Sequence, residues 1–383
     1  MIKEGKNGLI EFLDSMDNIR SVDVSDMCGL LSSFPKQCIE GLEIGERFCE
    51  TDEWKRFSED IGRISNVVIA GMGGSAIGGD VVRSLLLDNS EIPIFVNRDY
   101  HVPSFVGKDT LFIAVSYSGN TEETISSAIQ AMERKAKLLT ISSGGKLEKL
   151  AKEMGFPSIR IPGGRPPRCS IGYLLLPTML ILSKIGIGSA ISREDILSAI
   201  SHLEELSKKI GPESPYEANI SKQLANRMFG KIPLIYASQR MEAVAIRWRT
   251  QINENGKMIA IHHVFPEMNH NEIVGWEEIG SFGKLIHVVL IRDEEDGERI
   301  SARMDVTLSL IREKSGGVDE VRTEGKGRFS RMLHAIYIGD FTSFYLAVLR
   351  RVDPTPVKTI DLLKKELAER VPSTYYGKEV VER

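Results

Sequence analysis

Short runs of β-branched and other apolar residues alternate with stretches of helical periodicity along most of the chain. Residues 1–60 show no strand pattern and are expected to form polar helices. The next 150 residues contain apolar runs that predict strands at Asn66–Ala70, Ile92–Val96, Leu111–Val115, Lys137–Ile141 and Ser158–Ile161. The 3.6-residue spacing predicts helices at Ser75–Leu87, Thr121–Ala136, Lys146–Met154, Ser170–Ile185 and Ser192–Lys209. This alternation is typical of a parallel sheet with helices on both faces.

The same alternation restarts after Gly211–Pro215, a cluster of Gly, Pro and Ser that is the best candidate for a linker. Strands are predicted at Pro233–Ala237, Leu285–Ile291 and Val318–Arg322. Helices are predicted at Tyr216–Phe229, Glu242–Asn253, Ile300–Lys314, Arg328–Arg350 and Thr359–Glu369. The pattern therefore predicts an α/β protein in three parts: a helical N-terminal segment (1–60), a first α/β domain (61–210) and a second one with C-terminal helices (211–383).

Composition narrows the class of protein. The 383 residues include 49 Lys and Arg against 53 Asp and Glu, so no excess of positive charge is available to bind a nucleic-acid backbone. The apolar run Ile171–Leu182 is too short to span a bilayer, and the N-terminus has no apolar core of the signal-peptide type. The four cysteines have neither metal-ligand spacing nor the density of a disulfide scaffold. We expect a soluble, cytoplasmic protein without nucleic-acid or membrane partners.

A glycine-rich loop, Gly71–Asp80, follows the first predicted strand with the sequence GMGGSAIGGD. Glycines at a strand-to-helix turn let the backbone approach a ligand, and a helix N-terminus favours an anion. The loop matches the dinucleotide fingerprint, but the acidic residue after the next strand, Asp99, lies beyond the usual distance for binding a ribose. A tight turn without a ligand is the other interpretation.

A second loop, Ser116–Thr124, follows the third predicted strand. Its hydroxyl groups on Ser116, Ser118 and Thr121 can converge on one point beside the free N–H groups of a helix. No Walker lysine is present, so the loop suits a monophosphate better than a nucleoside triphosphate. An ordinary capping box would explain one of these hydroxyl groups but not three.

Together the two loops resemble those of the sugar-isomerase (SIS) fold family. Further segments resemble the bifunctional phosphoglucose/phosphomannose isomerases within it: Asp26–Gln37, Pro167–Tyr173, Asn253–Lys257, Pro266–Glu272 and Asp353–Val357. The resemblance covers nearly the whole chain and implies two SIS domains. It implies isomerisation of glucose 6-phosphate and mannose 6-phosphate to fructose 6-phosphate through a cis-enediolate, in a homodimer that uses neither metal nor cofactor.

The resemblance also implies which residues bind the substrate. Phosphate would be held by Ser116, Ser118 and Thr121, with Gly74 and Ser75 contributing from the first loop.

Arg168 is expected to face the enediolate oxygens, with Arg165 as the alternative. Thr355 is a candidate for leaving room at C2 of the sugar, so that one site serves both aldoses; a simple turn between prolines is its other interpretation.

Glu254 matches the family's proton-shuttling base, at the end of a helix that Asn255-Gly256 would terminate in a left-handed conformation. His270 matches the ring-opening histidine, which the resemblance places in the neighbouring subunit's site. Lys364 matches its C-terminal partner, with the adjacent Lys365 as the alternative.

Two other interpretations compete with this one. A zinc site could use Glu267 and three histidines, His262, His263 and His270, but adjacent histidines on an extended segment point to opposite faces. A non-catalytic SIS regulator would need one SIS domain and a DNA-binding partner, and the chain shows no basic helix-turn-helix segment. We therefore expect an enzyme without a metal, while an isomerase of another sugar phosphate is an alternative.

Overall fold

The computed structural model describes residues 6–188 and 191–370, and it begins with a helical segment. The helices are α1 (Lys6–Asp14), α2 (Met16–Val22), α3 (Met27–Ser32), α4 (Phe34–Cys49) and α5 (Asp52–Asp60). The segment is helical as predicted, but it is not simply polar, because α4 buries Phe34, Cys38 and Leu42 in the core.

The first sheet has five strands: β1 (Asn66–Ala70), β2 (Ile94–Asn97), β3 (Thr110–Ser116), β4 (Lys137–Ser142) and β5 (Ser158–Arg160). Their order is β2-β1-β3-β4-β5 and every pair is parallel. The helices after the strands are α6 (Gly73–Leu86), α7 (Glu122–Glu133), α8 (Gly145–Met154), α9 (Ile171–Lys184) and α10 (Arg193–Ile210). Because β1 and β3 are parallel neighbours, the loops that follow them lie at the same edge of the sheet.

The second sheet has the order β7-β6-β8-β9 and is also parallel throughout. Its strands are β6 (Ile232–Ser238), β7 (Ile261–Phe265), β8 (Ile286–Arg292) and β9 (Val318–Arg322). The helices are α11 (Ile220–Met228), α12 (Glu242–Glu254), α13 (Gly297–Ile311), α14 (Gly327–Leu349) and α15 (Lys358–Arg370). Strand β7 was not among the predicted strands, because two histidines interrupt its apolar run and its edge position leaves it largely half-buried.

Helix α14 lies at the centre of the molecule. Within the described ranges it is the helix long and apolar enough to cross a membrane, yet its apolar stretch is entirely buried inside the protein. It packs on α10, α11 and α12. A Cβ atom at Gly339 would stand 2.4 Å from Nε1 of Trp248, which donates to the carbonyl of Ala335 at 2.8 Å. The apolar composition of α14 therefore reflects its burial inside the protein, where it is the core helix of the fold.

The two sheets share one hydrophobic core. Its members come from the N-terminal helices, the inner faces of both sheets and helix α14, while smaller clusters cover the outer face of each sheet. The predicted linker 211–215 is an ordered turn within this arrangement. Buried Lys222 donates from Nζ to the carbonyls of Pro212 (2.9 Å) and Ser214 (2.8 Å), and Asn219 donates to the carbonyl of Gly211 at 2.9 Å. The domain boundaries between residues 60 and 61 and between residues 210 and 211 stay predictions.

Helix α4 crosses helix α9 at a point where only glycines fit. A Cβ atom at Gly41 would stand 2.5 Å from the carbonyl oxygen of Gly172. The side chain of Gln37 bridges the same crossing, since it donates to the carbonyl of Cys169 and accepts from the N–H of Gly172, each at 2.7 Å. The N-terminal segment is therefore fastened to the start of α9.

The buried imidazole of His334 predicts that acid destabilises the fold. Its pKa is lowered from 6.5 to about 4, mainly by burial, with smaller contributions from the neighbouring His202 and Lys209. Between these values the unfolded chain binds a proton that the folded chain does not, so the free energy of unfolding falls as the pH falls. It should decrease by about 3 kcal/mol between pH 6.5 and pH 4 from this group alone.

Urea unfolding across this pH range measures the effect. The His334→Gln variant should show a shallower pH dependence than the wild-type protein. An identical slope in the variant would contradict the assignment to His334.

Candidate active site

The two loops predicted to bind phosphate lie side by side. Ser75 Oγ accepts from the backbone N–H of Tyr117 at 3.0 Å, which joins the loop after β1 to the loop after β3. In the second loop the hydroxyl oxygens of Ser116 and Thr121 are 2.8 Å apart. Ser118 is exposed, and its Oγ accepts from the N–H of Asn120 at 3.2 Å. The structure thus brings these hydroxyl groups to one edge of the sheet.

Helix α7 begins directly after this loop without a side-chain cap. Thr121 occupies the capping position, but its hydroxyl pairs with Ser116 instead of with the helix backbone. The capping box that could have explained these residues is therefore absent at Thr121. The first N–H groups of α7 can serve an anion.

Gly74 brings the first loop against the segment that carries Arg168. A Cβ atom at Gly74 would stand 2.7 Å from the backbone nitrogen of Arg168 and 2.8 Å from the carbonyl oxygen of Pro167. The neighbouring segment is also joined to the second loop, because the N–H of Arg165 donates to the hydroxyl of Tyr117 at 3.1 Å. Only a residue without a side chain fits at Gly74.

The guanidinium group of Arg168 is buried and held on three sides. Its Nε donates to Oδ1 of Asn255 at 2.7 Å, and its Nη2 donates to the carbonyls of Pro354 (3.0 Å) and Thr355 (2.8 Å). A guanidinium has five N–H donors, so these contacts leave the two on Nη1. Nη1 lies 3.5 Å from Oε2 of Glu254.

Arg165 points elsewhere. Its Nη1 donates to the hydroxyl of Ser33 at 2.7 Å, in the N-terminal segment, and its guanidinium carbon lies 6.0 Å from the ring centroid of Tyr173. Of the two arginines considered from the sequence, Arg168 is the one that contacts Glu254.

Two charged residues that were not predicted from the sequence, Arg247 and Asp340, hold the backbone of Arg168 in place. Arg247 of α12 donates from Nη2 to the carbonyl of Arg168 (2.7 Å) and to Oδ2 of Asp340 (2.8 Å) in α14. Both partners of this pair are buried, and burial raises the pKa of Asp340 while Arg247 partly offsets the rise. An aspartate in the long apolar run of α14 was the available signal, because a buried charge needs a partner.

Glu254 ends helix α12 at the wall of a cavity of about 560 Å³. Its side chain is 27% exposed, so it reaches both Arg168 and the cavity. The other lining residues are Asn253, Lys257, Val352, Asp353, Pro356, Val357, Lys358, Thr359 and Ile360. Thr355 lies between two of them, and its Oγ1 is buried with no hydrogen-bond partner in the described chain. The loops after β1 and β3, which are predicted to bind phosphate, do not line this cavity. They are joined to it by the contact of Gly74 with Arg168, which in turn contacts Glu254.

The helix end differs from the prediction in one respect. Asn255 has φ −85° and Gly256 is not left-handed; the left-handed residue is Lys257, with φ +52°. Its Nζ donates to the carbonyls of Glu254 and Pro354, the latter at 2.8 Å. The buried Asn255 keeps a helical backbone conformation, and its Oδ1 accepts from Nε of Arg168.

His270 and Lys364 lie outside this arrangement. His270 is exposed at the end of the 3₁₀ turn Glu267–His270, and Lys364 is exposed on α15; neither lines the cavity. The neighbouring Lys365 lies 4.0 Å from Glu369. A single chain therefore brings together Glu254, Arg168, Thr355 and the two loops, while His270 and Lys364, the residues predicted to open the ring, lie apart from them.

Comparison with known proteins assigns the family. A model of the bacterial phospho-glucose isomerase C-terminal SIS domain matches residues 217–367, and a SIS-domain model matches residues 61–154. The bifunctional phosphoglucose/phosphomannose isomerase of Caldicellulosiruptor bescii is 42% identical over 338 residues, covering 88% of this chain and 97% of that protein. The one from Aquifex aeolicus is 34% identical and covers 86% and 98%. The chain belongs to the bifunctional phosphoglucose/phosphomannose isomerase family.

The fold of this isomerase family is also found among solved structures. A hypothetical protein from Thermus thermophilus superposes with a TM-score of 0.72 at 16% identity, covering 96% of this chain and 95% of that one. The expected architecture of two SIS domains with an N-terminal helical region is confirmed.

The histidines that the sequence offers as zinc ligands do not line the cavity beside Glu254. His262 and His263 are consecutive residues of β7, and His270 is exposed beyond it. Within the described ranges, the His and acidic side chains that come within metal-binding distance are His202, Glu324 and His334. There Nδ1 of His334 accepts from the N–H of Glu324 at 3.2 Å, which leaves the ring proton on the nitrogen that a metal would need.

The contact between Asn255 and Arg168 predicts a variant that damages activity more than its volume change would suggest. Asn255→Leu removes the acceptor of Arg168 Nε in a buried place, which frees the guanidinium to turn away from Glu254. Sugar-phosphate isomerase turnover should fall by about 10-fold or more.

Ser343→Ala is the matched control for this variant. It removes the 2.9 Å bond that Asn255 donates to Ser343 but keeps the bond to Arg168. Steady-state kinetics of both variants should show the larger loss in Asn255→Leu. Equal losses in the two variants would argue against the orienting role.

Proposed function

We propose that the protein interconverts glucose 6-phosphate and mannose 6-phosphate with fructose 6-phosphate, without a metal, through a cis-enediolate. The observation that carries the proposal is the contact between Glu254 and Arg168 at the wall of the cavity. A carboxylate able to move a proton lies 3.5 Å from a guanidinium nitrogen able to stabilise the oxygen anions that form.

The phosphate group would bind at the N-terminus of α7. Ser116, Ser118 and Thr121 supply hydroxyl groups, and the uncapped helix supplies N–H groups. Gly74 and Ser75 contribute backbone from the first loop, where the contact of Gly74 with Arg168 fixes the phosphate site relative to the reacting carbons. Hydroxyl and N–H donors of this kind hold a phosphate without a bound metal ion.

Glu254 would take the proton from C2 of the open-chain aldose and return it to C1. As the proton leaves, negative charge develops on the oxygens of C1 and C2, and the Nη1 donors of Arg168 face that charge. The two aldoses differ only at C2, which becomes planar in the enediolate. Thr355, whose hydroxyl is unpaired in the described chain, would contact the sugar near C2 and leave room for both epimers.

Ring opening would need a second subunit. His270 is exposed and does not line the cavity of its own chain, so in this proposal it serves the site of a partner in a homodimer. Exposed apolar side chains support a protein contact near His270, at Val274 and Phe282, and on α15, where Leu363 lies next to Lys364. In this proposal Lys364 assists the ring-opening step, and the enzyme acts in cytoplasmic hexose phosphate metabolism.

Replacing Glu254 tests the base. Glu254→Gln keeps the size and hydrogen bonding of the side chain but cannot accept a proton, so turnover should fall by roughly 10²–10⁴-fold. Formation of fructose 6-phosphate from glucose 6-phosphate and from mannose 6-phosphate should fall in parallel, because one site serves both.

Glu59→Gln, at an exposed position of α5, is the matched control and should keep wild-type turnover. EDTA should leave the wild-type rates unchanged. Near-normal turnover in Glu254→Gln would remove Glu254 from the mechanism, and wild-type turnover of only one aldose would leave a single-substrate isomerase.

Mixed dimers test the contribution of His270. His270→Ala subunits lack the ring-opening group and Glu254→Gln subunits lack the base, so each homodimer should be nearly inactive. After unfolding and refolding together, hybrid dimers would contain one complete site and should regain activity. A fully active monomer in size-exclusion chromatography, or no recovery in confirmed hybrids, would contradict the shared site.

A further inference from the structure

Lys257 has an unusual backbone conformation at the wall of the cavity. Its φ of +52° lies in the left-handed region, which is unfavourable for a residue with a Cβ atom. The glycine beside it, Gly256, is not the left-handed residue. A residue is kept in such a conformation only when the surrounding structure holds it there.

The ammonium group of Lys257 provides the contacts that hold it. It donates to the carbonyl of Glu254, the last residue of α12, and to the carbonyl of Pro354 at 2.8 Å. The same Pro354 oxygen accepts from Nη2 of Arg168 at 3.0 Å, and the next carbonyl, that of Thr355, accepts from Arg168 at 2.8 Å. Two cations thus fasten one peptide segment to the end of one helix.

The electrostatics of the lysine are unfavourable. Burial lowers the pKa of Lys257, and the positive charge of Arg168 lowers it further, while Glu254 and Asp353 oppose the change. An ammonium group placed beside a buried guanidinium contributes little stability by charge alone. Its two carbonyl contacts must therefore compensate, and both involve the segments that carry Glu254 and Thr355.

We propose that Lys257 is a positioning residue for the isomerase site: its ammonium group fixes the Pro354–Thr355 peptide to the end of α12. It thereby sets the distance between the carboxylate of Glu254 and the hydroxyl of Thr355, which has no hydrogen-bond partner among the residues that the structure describes. Because Thr355 would contact the sugar near C2, where glucose and mannose differ, Lys257 controls the balance between the two aldoses. The inference rests on the proposed function.

Three variants test it. K257M removes the ammonium group but keeps the length of the side chain, K257R keeps a cation, and K257G removes the cation together with the backbone strain. For K257M and K257G we expect kcat/KM to fall by about 10- to 100-fold. The ratio of kcat/KM for glucose 6-phosphate and mannose 6-phosphate should change by about threefold or more, and K257R should restore part of both.

Thermal unfolding separates positioning from stability. K257G should unfold close to the wild-type temperature, because relief of the left-handed strain offsets much of the loss of the two carbonyl contacts, while its activity is low. If K257M does not fold, K257G alone decides the question. Activity in the glycine variant within about twofold of wild type would overturn the proposal. A loss that is equal for both aldoses would also overturn it.

Wild-type turnover is measured first, so that a failure of the proposed function can be distinguished from a failure of the role proposed for Lys257. A wild-type protein that isomerises neither aldose would overturn the proposed function and this inference together. An active wild type with an unaffected K257G would overturn only the role of Lys257.

Discussion

The buried ion pair between Arg247 and Asp340 sets the geometry on which the candidate site depends. It joins α12 to the core helix α14, and Arg247 also donates to the carbonyl of Arg168. A buried ion pair adds little stability compared with apolar packing, but breaking it by removing one partner costs about 3–5 kcal/mol. Its effect here is geometric, because it fixes the position of the helix that ends in Glu254 relative to the turn that carries Arg168.

The site is built at the meeting point of elements from both sheets. The phosphate loops follow β1 and β3 of the first sheet, Glu254 ends a helix that packs on the second, and Thr355 follows the core helix α14. A shared hydrophobic core keeps these parts in register. Packing in this core therefore holds the hydroxyl groups, the carboxylate of Glu254 and the guanidinium of Arg168 in a fixed arrangement.

Much of this arrangement was predictable from the sequence. The alternation of apolar runs with helical periodicity placed eight strands, of which β1 and β9 agree to the residue. Strand β7 could not be predicted in this way, because its histidines broke the apolar pattern. The motifs led to Glu254 and Arg168, and the choice of Arg168 over Arg165 needed the side-chain contacts. The supporting pair Arg247 and Asp340 carries no local motif, since its meaning arises only when two distant helices pack together.

The crossing of α4 and α9 has a mechanical consequence. Gly41 and Gly172 bring the two helix backbones together with no side chain between them to absorb movement. Gln37 binds the carbonyl of Cys169, the residue that follows Arg168. A tilt of α4 would therefore be transmitted almost rigidly to Arg168. The N-terminal segment thus braces the turn that carries Arg168. Substitutions on α4, far from the substrate, can therefore change catalysis by moving this turn.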